Sequence, residues 1–170
     1  ALDALGPAVA KPAFSRFATR VLVEPDAAAL DGVTPSPAAP WVVQRHLPGP
    51  ERCSWSLAHR GRLLAHADYR PVFTANRAAV AFTHEGDPAV LAWVEAFVAA
   101  ERWTGQIAFD WRQGAAGPVP IECNPRATSG IHLLADVPGF AGVWGTLLAD
   151  RDADDPPLTP PVGASAQVGL

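Results

Sequence analysis

Three residues near the end of one segment have the types and the spacing for metal and phosphate chemistry. Glu122 and Asn124 lie two residues apart, so on a β-strand both side chains leave the same face. A carboxylate and an amide oxygen side by side are hard oxygen ligands, which suit Mg²⁺. Pro125 ends the strand, and Arg126 places a planar, permanently charged guanidinium beside the metal position. A fork of this kind matches the paired oxygens of a phosphate or an acyl phosphate.

Asp110 supplies a further oxygen ligand from a neighbouring strand. Residues 106–111 alternate in polarity, and residues 119–124 form the return strand after a turn-rich link. The resulting hairpin can bring Asp110 beside Glu122, where the oxygen ligands could hold one or two Mg²⁺ that bridge nucleotide phosphates. The alternative interpretation of Asp110 is a strand-end acid in solvent or paired with Arg112.

This constellation resembles the terminal motif of the ATP-grasp enzymes, nearest to their carbamoyl-phosphate-synthase-like and carboxylate–amine ligase members. That motif places an acid on one strand, then a short hairpin, then Glu-x-Asn-Pro-Arg, and it is matched here by Asp110, Glu122, Asn124 and Arg126. The resemblance extends over about residues 9–134. It implies an α+β fold of mainly antiparallel sheets with helices on one face, in two lobes around a nucleotide cleft.

The resemblance also assigns a phosphate contact near the start of the chain. Residues 9–12 look like the strand that bears the phosphate-contacting lysine, which would be Lys11. Lys11 is the only lysine among the 13 basic residues, and an ammonium and a guanidinium are not interchangeable at a phosphate. The alternative is an ordinary surface lysine. The following turn, residues 15–19, lacks the glycines of its counterpart in many family members, so Ser15 and Arg16 are candidates for the phosphate contacts.

The nucleotide's base and sugar are assigned to the next strand and turn. The segment that begins at Trp41 is similar to the strand and hinge that hold adenine, through Gln44, Arg45 and Leu47. Glu51 would accept hydrogen bonds from the ribose hydroxyls. The alternatives are that Gln44 is a polar residue of an edge strand and that Glu51 is a loop acid paired with Arg52.

The composition limits the class of protein. The 170 residues are 49% hydrophobic and 18% charged, which is typical of a globular domain. The net charge of −4 and the lack of a basic patch argue against a nucleic-acid partner. No apolar run is long enough to span a bilayer, and no secretory signal is visible, so a cytoplasmic location is expected. Cys53 and Cys123 are expected to be buried thiols rather than a disulfide or a metal pair.

The bias towards Ala, Arg, Pro and Gly is typical of a GC-rich, bacterial-like genome, and the absence of methionine suggests a piece of a longer protein. The resemblance implies a domain before this one. Within the chain we expect a small lobe at 1–47, a large lobe with the Mg²⁺ and ATP site at 48–150, and a C-terminal loop with a candidate strand at 151–170. Asp87 and Pro88 predict the start of a helix that ends near Arg102.

The resemblance implies an ATP-dependent ligase that joins a carboxylate to an amine through an acyl phosphate. ATP and Mg²⁺, with Mn²⁺ as an alternative metal, would be the cofactors, and Arg126 and Lys11 would act on the phosphates. Two other functions stay open: a nucleotide-binding module or regulatory remnant without turnover, and a purely structural sheet domain. The substrates would be a small carboxylate and a small amine. The oligomeric state is not determined by the sequence, and a homodimer is one option.

Overall fold

A computed structural model of the chain describes residues 6–14, 20–75, 78–152 and 155–168. The chain divides into two compact units, Ala1–Pro48 and Gly49–Leu170. The turn at residues 15–19, with its candidate phosphate contacts Ser15 and Arg16, lies outside the described residues. None of the helices in the described ranges is long and apolar enough to cross a membrane.

The first unit contains a three-stranded antiparallel sheet in the order β2-β1-β3. Its strands are β1 (Ala8–Pro12), β2 (Leu22–Val23) and β3 (Trp41–Arg45), and a short helix α1 (Ala27–Leu30) follows β2. The Asp26 side chain caps α1 by accepting a hydrogen bond from the Ala29 N–H at 2.8 Å. Proline-rich residues 33–40 form no strand or helix, as fixed φ angles and missing N–H donors predict.

The second unit is built on a six-stranded sheet in the order β8-β7-β4-β5-β6-β9, with every neighbouring pair antiparallel. The strands are β4 (Glu51–His59), β5 (Arg62–Ala75), β6 (Ala78–His84), β7 (Gly105–Gly114), β8 (Gly117–Asn124) and β9 (Ser165–Gln167). The helices are α2 (Pro88–Glu101), a 3₁₀ helix (Ser129–Leu134) and α3 (Phe140–Leu148).

Helix α2 packs on one face of this sheet. As predicted, Asp87 is its N-cap, accepting from the Ala89 N–H at 2.8 Å, and the helix ends at Arg102. Arg102 adopts the left-handed conformation there. Its fully buried residues recur every four positions and contact the odd-numbered residues of β7. They are Val90, Val94 and Val98, packed against Ile107, Phe109 and Trp111.

The opposite face of the sheet is packed by the 3₁₀ helix and α3. Trp55 and Ala108 of the sheet form a core with Leu134, and Phe140 of α3 meets the Trp55 ring edge-on at 6.0 Å between centroids. Gly130 comes so close to the sheet that an added Cβ would lie 2.7 Å from Trp55 Cβ. The α+β class with mainly antiparallel sheets is therefore confirmed. Helices cover both faces of the larger sheet rather than the one face expected, because both faces carry buried apolar side chains.

Candidate functional site

The β7–β8 hairpin places the two predicted metal-binding acids directly opposite each other. Asp110 of β7 pairs with Glu122 of β8, and Asn124 pairs with Ala108 two positions further along. Side chains of residues paired in this way leave the same face of the sheet. The register shifts between Asp110 and Trp111, so β8 carries one extra residue next to the acids. A bulge of this kind bends the strand and changes the direction of nearby side chains.

Hydrogen bonds connect three of the predicted residues in a line. The Asn124 Nδ2 donates to Asp110 Oδ2 at 3.3 Å. The Arg126 Nη2 donates to Asn124 Oδ1 at 3.2 Å, and its Nη1 donates to the Ala127 carbonyl at 3.1 Å. Strand β8 ends at Asn124, immediately before Pro125. The exposed Arg126 is therefore connected to Asp110 through Asn124.

The environment of Asp110 disfavours its charged form. Burial raises the pKa of the Asp110 carboxyl, and the negative charges of Glu122 and Glu51 raise it further. Hydrogen bonds from the Cys53 thiol and the Asn124 amide oppose this shift without cancelling it. A cation bound between the Asp110 and Glu122 carboxylates would offset their repulsion, so the electrostatics of this site suit a bound positive charge.

The two cysteines differ in their surroundings. Cys53 of β4 lies directly opposite Asp110 and is half-buried, and burial raises the pKa of its thiol, as does the charge of Asp110. Cys123 lies near the end of the outermost strand and is exposed, so the expectation that both thiols are buried was wrong for this residue. The two are free thiols.

Glu51, the predicted ribose acid, begins β4 and is paired with Arg112 of β7. The Arg112 Nη2 donates to Glu51 Oε2 at 3.3 Å, and its Nη1 donates to the Gly49 carbonyl at 3.1 Å. Two alternatives from the sequence are thereby corrected. Glu51 pairs with Arg112 rather than Arg52, and the partner of Arg112 is Glu51 rather than Asp110, because Glu51 is the residue opposite it in the register.

A cluster of charges around Arg52 was not predicted. Arg52 Nη1 donates to Asp87 Oδ2 at 2.6 Å, its Nη2 lies 2.7 Å from Glu85 Oε2, and Asp68 Oδ2 lies 3.5 Å from Nη2. Asp68 is only 2% exposed. Burial lowers the pKa of Arg52, but the hydrogen bond to Asp87 and the charges of its three carboxylate partners more than offset this and raise it overall. No local pattern indicates this cluster, because Asp68 and Asp87 lie 16 and 35 residues further along the chain than Arg52.

Arg52, Glu85 and Asp87 of this cluster line a pocket of about 870 Å³ that reaches Glu51. The charged and amide side chains in its wall are Glu51, Arg52, Arg70, Glu85, Asp87 and Gln113. The acids Asp110 and Glu122 are not among its lining residues. The pocket is therefore separate from the paired acids and shares with the predicted site only the ribose acid.

The remaining predicted residues belong to the first unit. Lys11 of β1 pairs with Val42 of β3, and Gln44 pairs with Val9, so Lys11 and Gln44 leave the same face of the β1–β3 pair. Arg45 is exposed and leaves the other face, and Leu47 follows the end of β3. The register therefore places Lys11 and Gln44 on one face of the β1–β3 pair and Arg45 on the other.

The donor set of the second unit fits a magnesium–phosphate complex better than a closed metal cage. In the described ranges, no group of three or more His, Cys, Asp and Glu residues stands at metal-binding distances. Two carboxylates and an amide oxygen remain, all of them hard ligands. Mg²⁺ is commonly bound by one or two carboxylates together with substrate phosphates and water. Asp110, Glu122 and Asn124 are the residues that would hold it.

Comparison with known proteins identifies the fold. The sequence matches no family model and no curated protein. The fold is shared with N5-carboxyaminoimidazole synthase from Aspergillus clavatus, solved with ADP and 5-aminoimidazole ribonucleotide, at a TM-score of 0.67 and 11% identity over 94% of this chain and 45% of that one. It is shared with the biotin carboxylase domain of Hydrogenobacter thermophilus 2-oxoglutarate carboxylase, solved with MgADP and bicarbonate, at 0.64 and 9% over 91% and 39%.

A third similar structure is the L-amino acid ligase from Bacillus licheniformis, with a TM-score of 0.50 and 17% identity over 73% of this chain and 32% of that chain. The chain therefore spans less than half the length of each of these proteins. It has the ATP-grasp fold, as the Asp…Glu-x-Asn-Pro-Arg motif predicted.

Proposed function

We propose that this chain carries the nucleotide- and metal-binding part of an ATP-dependent carboxylate–amine ligase. The observation that carries the proposal is the pair of facing acids Asp110 and Glu122, with Asn124 bonded to the first and Arg126 bonded to Asn124. The charge of Glu122 disfavours the charged form of Asp110, and a cation bound there would offset this repulsion and favour an anionic phosphate beside it. The shared fold, found in proteins solved with ADP or MgADP, supports this proposal.

In the proposed reaction, an oxygen of the carboxylate substrate attacks the γ-phosphorus of ATP, the bond to the β-phosphate oxygen breaks, and ADP leaves. The amine nitrogen then attacks the acyl carbon and inorganic phosphate leaves, with loss of a proton from nitrogen. Mg²⁺ held by Asp110, Glu122 and Asn124 would neutralise charge on the phosphates. Arg126 offers a planar donor pair for the transferred phosphoryl group or the acyl oxygen.

The other predicted residues are proposed as nucleotide contacts. Lys11 would neutralise phosphate charge, Gln44, Arg45 and Leu47 would hold the adenine, and Glu51 would accept from the ribose. A small carboxylate and a small amine are the proposed substrates, and a cytoplasmic location is proposed with them. These roles require positioning and electrostatics rather than a side-chain nucleophile.

The proposal is tested by thermal shift and calorimetric titration of the chain with ATP, with and without Mg²⁺. Ligand at a hundred times its Kd stabilises a protein by about 2.7 kcal/mol. We expect a Mg²⁺-dependent shift in the wild type that is lost in Glu122→Ala and retained in Glu95→Ala, which makes the same change at an exposed position of α2. A shift that is equal with and without Mg²⁺, or equal in the two variants, would count against the proposed metal site.

Phosphate release in the presence of carboxylates and amines then separates the candidate functions. Release that requires both substrate types supports the ligase. Mg²⁺-dependent binding without release under any combination would instead favour a nucleotide-binding module. No stabilisation by ATP in any form would favour a structural sheet domain.

A further inference from the structure

We propose that Arg112 is a positioning residue that makes the nucleotide site selective for ribonucleotides over 2′-deoxyribonucleotides. It would act by fixing the carboxylate of Glu51 where the sugar hydroxyls lie. The inference rests on the proposed nucleotide site. Arg112 is not one of the site residues predicted from the sequence, and the shared fold does not determine whether the site distinguishes ribose from 2′-deoxyribose.

The first support is the geometry of the guanidinium. Arg112 holds two consecutive parts of the same segment, the Gly49 carbonyl at 3.1 Å and the Glu51 carboxylate at 3.3 Å. Glu51 and Arg112 also face each other in the β4–β7 register, so their backbones are fixed relative to one another. A planar fork with two engaged nitrogens restrains the direction of its partner better than a single point charge could.

The second support is the backbone beneath this contact. The Gln113 N–H donates to the Pro50 carbonyl at 3.2 Å, next to the residues that Arg112 holds. Gly49 lies so close to β7 that an added Cβ would overlap the Gln113 carbonyl oxygen and lie 2.7 Å from its carbonyl carbon. The segment Gly49–Glu51 is therefore fastened to β7 by a side chain and by its own backbone, and we call this arrangement the β7 clamp.

The third support is the unused hydrogen-bonding capacity of Glu51. Its Oε2 faces Arg112, whereas Oε1 has no partner among the described residues. With Oε2 held by Arg112, the Glu51 carboxylate presents Oε1 as an acceptor in a fixed direction. A ribose offers two neighbouring hydroxyl donors and a 2′-deoxyribose offers one, so the deoxy sugar leaves less of the acceptor satisfied. A hydrogen bond to a charged acceptor corresponds to about a tenfold change in affinity or more.

The strand position of Arg112 extends the argument. Arg112 and Asp110 are two residues apart on β7 and leave the same face of the sheet. One strand therefore carries both a candidate metal ligand and the residue that orients the ribose acid. The distance between metal and sugar contacts would be set by two residues of rigid strand rather than by a flexible loop.

The experiment compares ATP and 2′-dATP, each with saturating Mg²⁺, by calorimetry. The wild type is expected to bind ATP about tenfold more tightly. In Arg112→Leu the ratio of the two Kd values should fall to about twofold or less, because the affinity for ATP falls and the affinity for 2′-dATP stays the same. Arg112→Lys should restore only part of it, because an ammonium cannot form both contacts in the same plane. Arg151→Leu, at an exposed position outside the site, should keep the wild-type ratio.

A merely structural role for Arg112 would weaken both nucleotides equally, and an unchanged ratio in Arg112→Leu would overturn the inference. So would a wild type that does not distinguish the two nucleotides. Failure of the proposed function would look different, because the wild type would then bind neither nucleotide.

Hydrogen exchange of the nucleotide-free protein tests the clamp separately. The Gln113 amide should exchange faster in Arg112→Leu than in the wild type, and equal rates would refute the clamp whatever the nucleotide does.

Discussion

Replacement of Asp110 by asparagine should change two properties of the protein in opposite directions. Without ligand the variant should be more stable than the wild type. With ATP and Mg²⁺ it should gain no metal-dependent stability, whereas the wild type should gain about 2.7 kcal/mol at a hundredfold excess over Kd. The substitution keeps the shape of the side chain and removes its charge.

The gain in the ligand-free protein follows from the surroundings of the carboxylate. Burial and the charges of Glu122 and Glu51 raise the pKa of Asp110, so the folded protein binds this proton more tightly than the unfolded chain does. At neutral pH the charged form therefore reduces stability. The asparagine oxygen can still accept the hydrogen bond that Asn124 donates at 3.3 Å. A stabilising substitution of this kind is typically worth about 0.5–2 kcal/mol. Each kcal/mol raises the melting temperature by roughly 2–4 °C in a chain of this size.

The assay is urea and thermal unfolding of both proteins, each with and without ATP and Mg²⁺. Asp136→Asn makes the same chemical change at an exposed position and should stay within about 0.5 kcal/mol of the wild type. A ligand-free variant less stable than the wild type would refute the electrostatic reasoning. A variant that retains the Mg²⁺-dependent gain would show that Asp110 does not hold the metal.

Three further predictions concern the second unit. Arg52→Leu should lose about 3–5 kcal/mol in urea unfolding, because it removes the cation shared by Asp87, Glu85 and the buried Asp68; Asp68→Asn in the same chain should recover part of the loss, and a fully additive double variant would contradict the coupling of Arg52 to Asp68. Gly130→Ala should cost roughly 1–3 kcal/mol, since its Cβ would lie 2.5 Å from Tyr69 Cε1, and an unchanged melting temperature would argue against that close packing. Burial, together with the charge of His84, lowers the pKa of His66 from 6.5 to about 3, so stability should fall by up to about 1.4 kcal/mol per pH unit as the pH decreases between these values. His66→Gln should flatten that pH dependence, and an equally steep curve in the variant would assign it to another group.

The parts of the site that could be predicted from the sequence depend on local contacts. The β7–β8 hairpin follows from alternating polarity on both sides of a short turn, and once it forms, the register places Asp110 opposite Glu122. The start of α2 was equally clear, because an N-cap aspartate and a proline at the first helical position act over two residues. The resemblance to the ATP-grasp motif then assigned candidate metal-binding roles to Asp110 and Glu122, which the hairpin register already places opposite each other.

The parts that were missed depend on distant contacts or on irregular strands. Arg52 finds Asp87 35 residues further along the chain, and no pattern near Arg52 indicates that partner. Strand β5 continues through Pro71 to Ala75, although a proline within an apolar run usually argues against a strand. It does so with register shifts on both sides of Phe73, where the ladder tolerates a residue without an N–H. Strand β6, which pairs with this irregular part, was not predicted.

The position of the candidate ligands in one hairpin also has a consequence for folding kinetics. Asp110 and Asn124 are 14 residues apart, whereas Glu51 and Arg112 are 61 apart. Closing the shorter loop costs less chain entropy and is faster. The acids can therefore face each other in any folding intermediate that contains the β7–β8 hairpin, but Glu51 reaches its place only after β4 has joined the sheet. The proposed metal ligands would then be assembled before the proposed sugar contact, so the two halves of the candidate site would form in a fixed order.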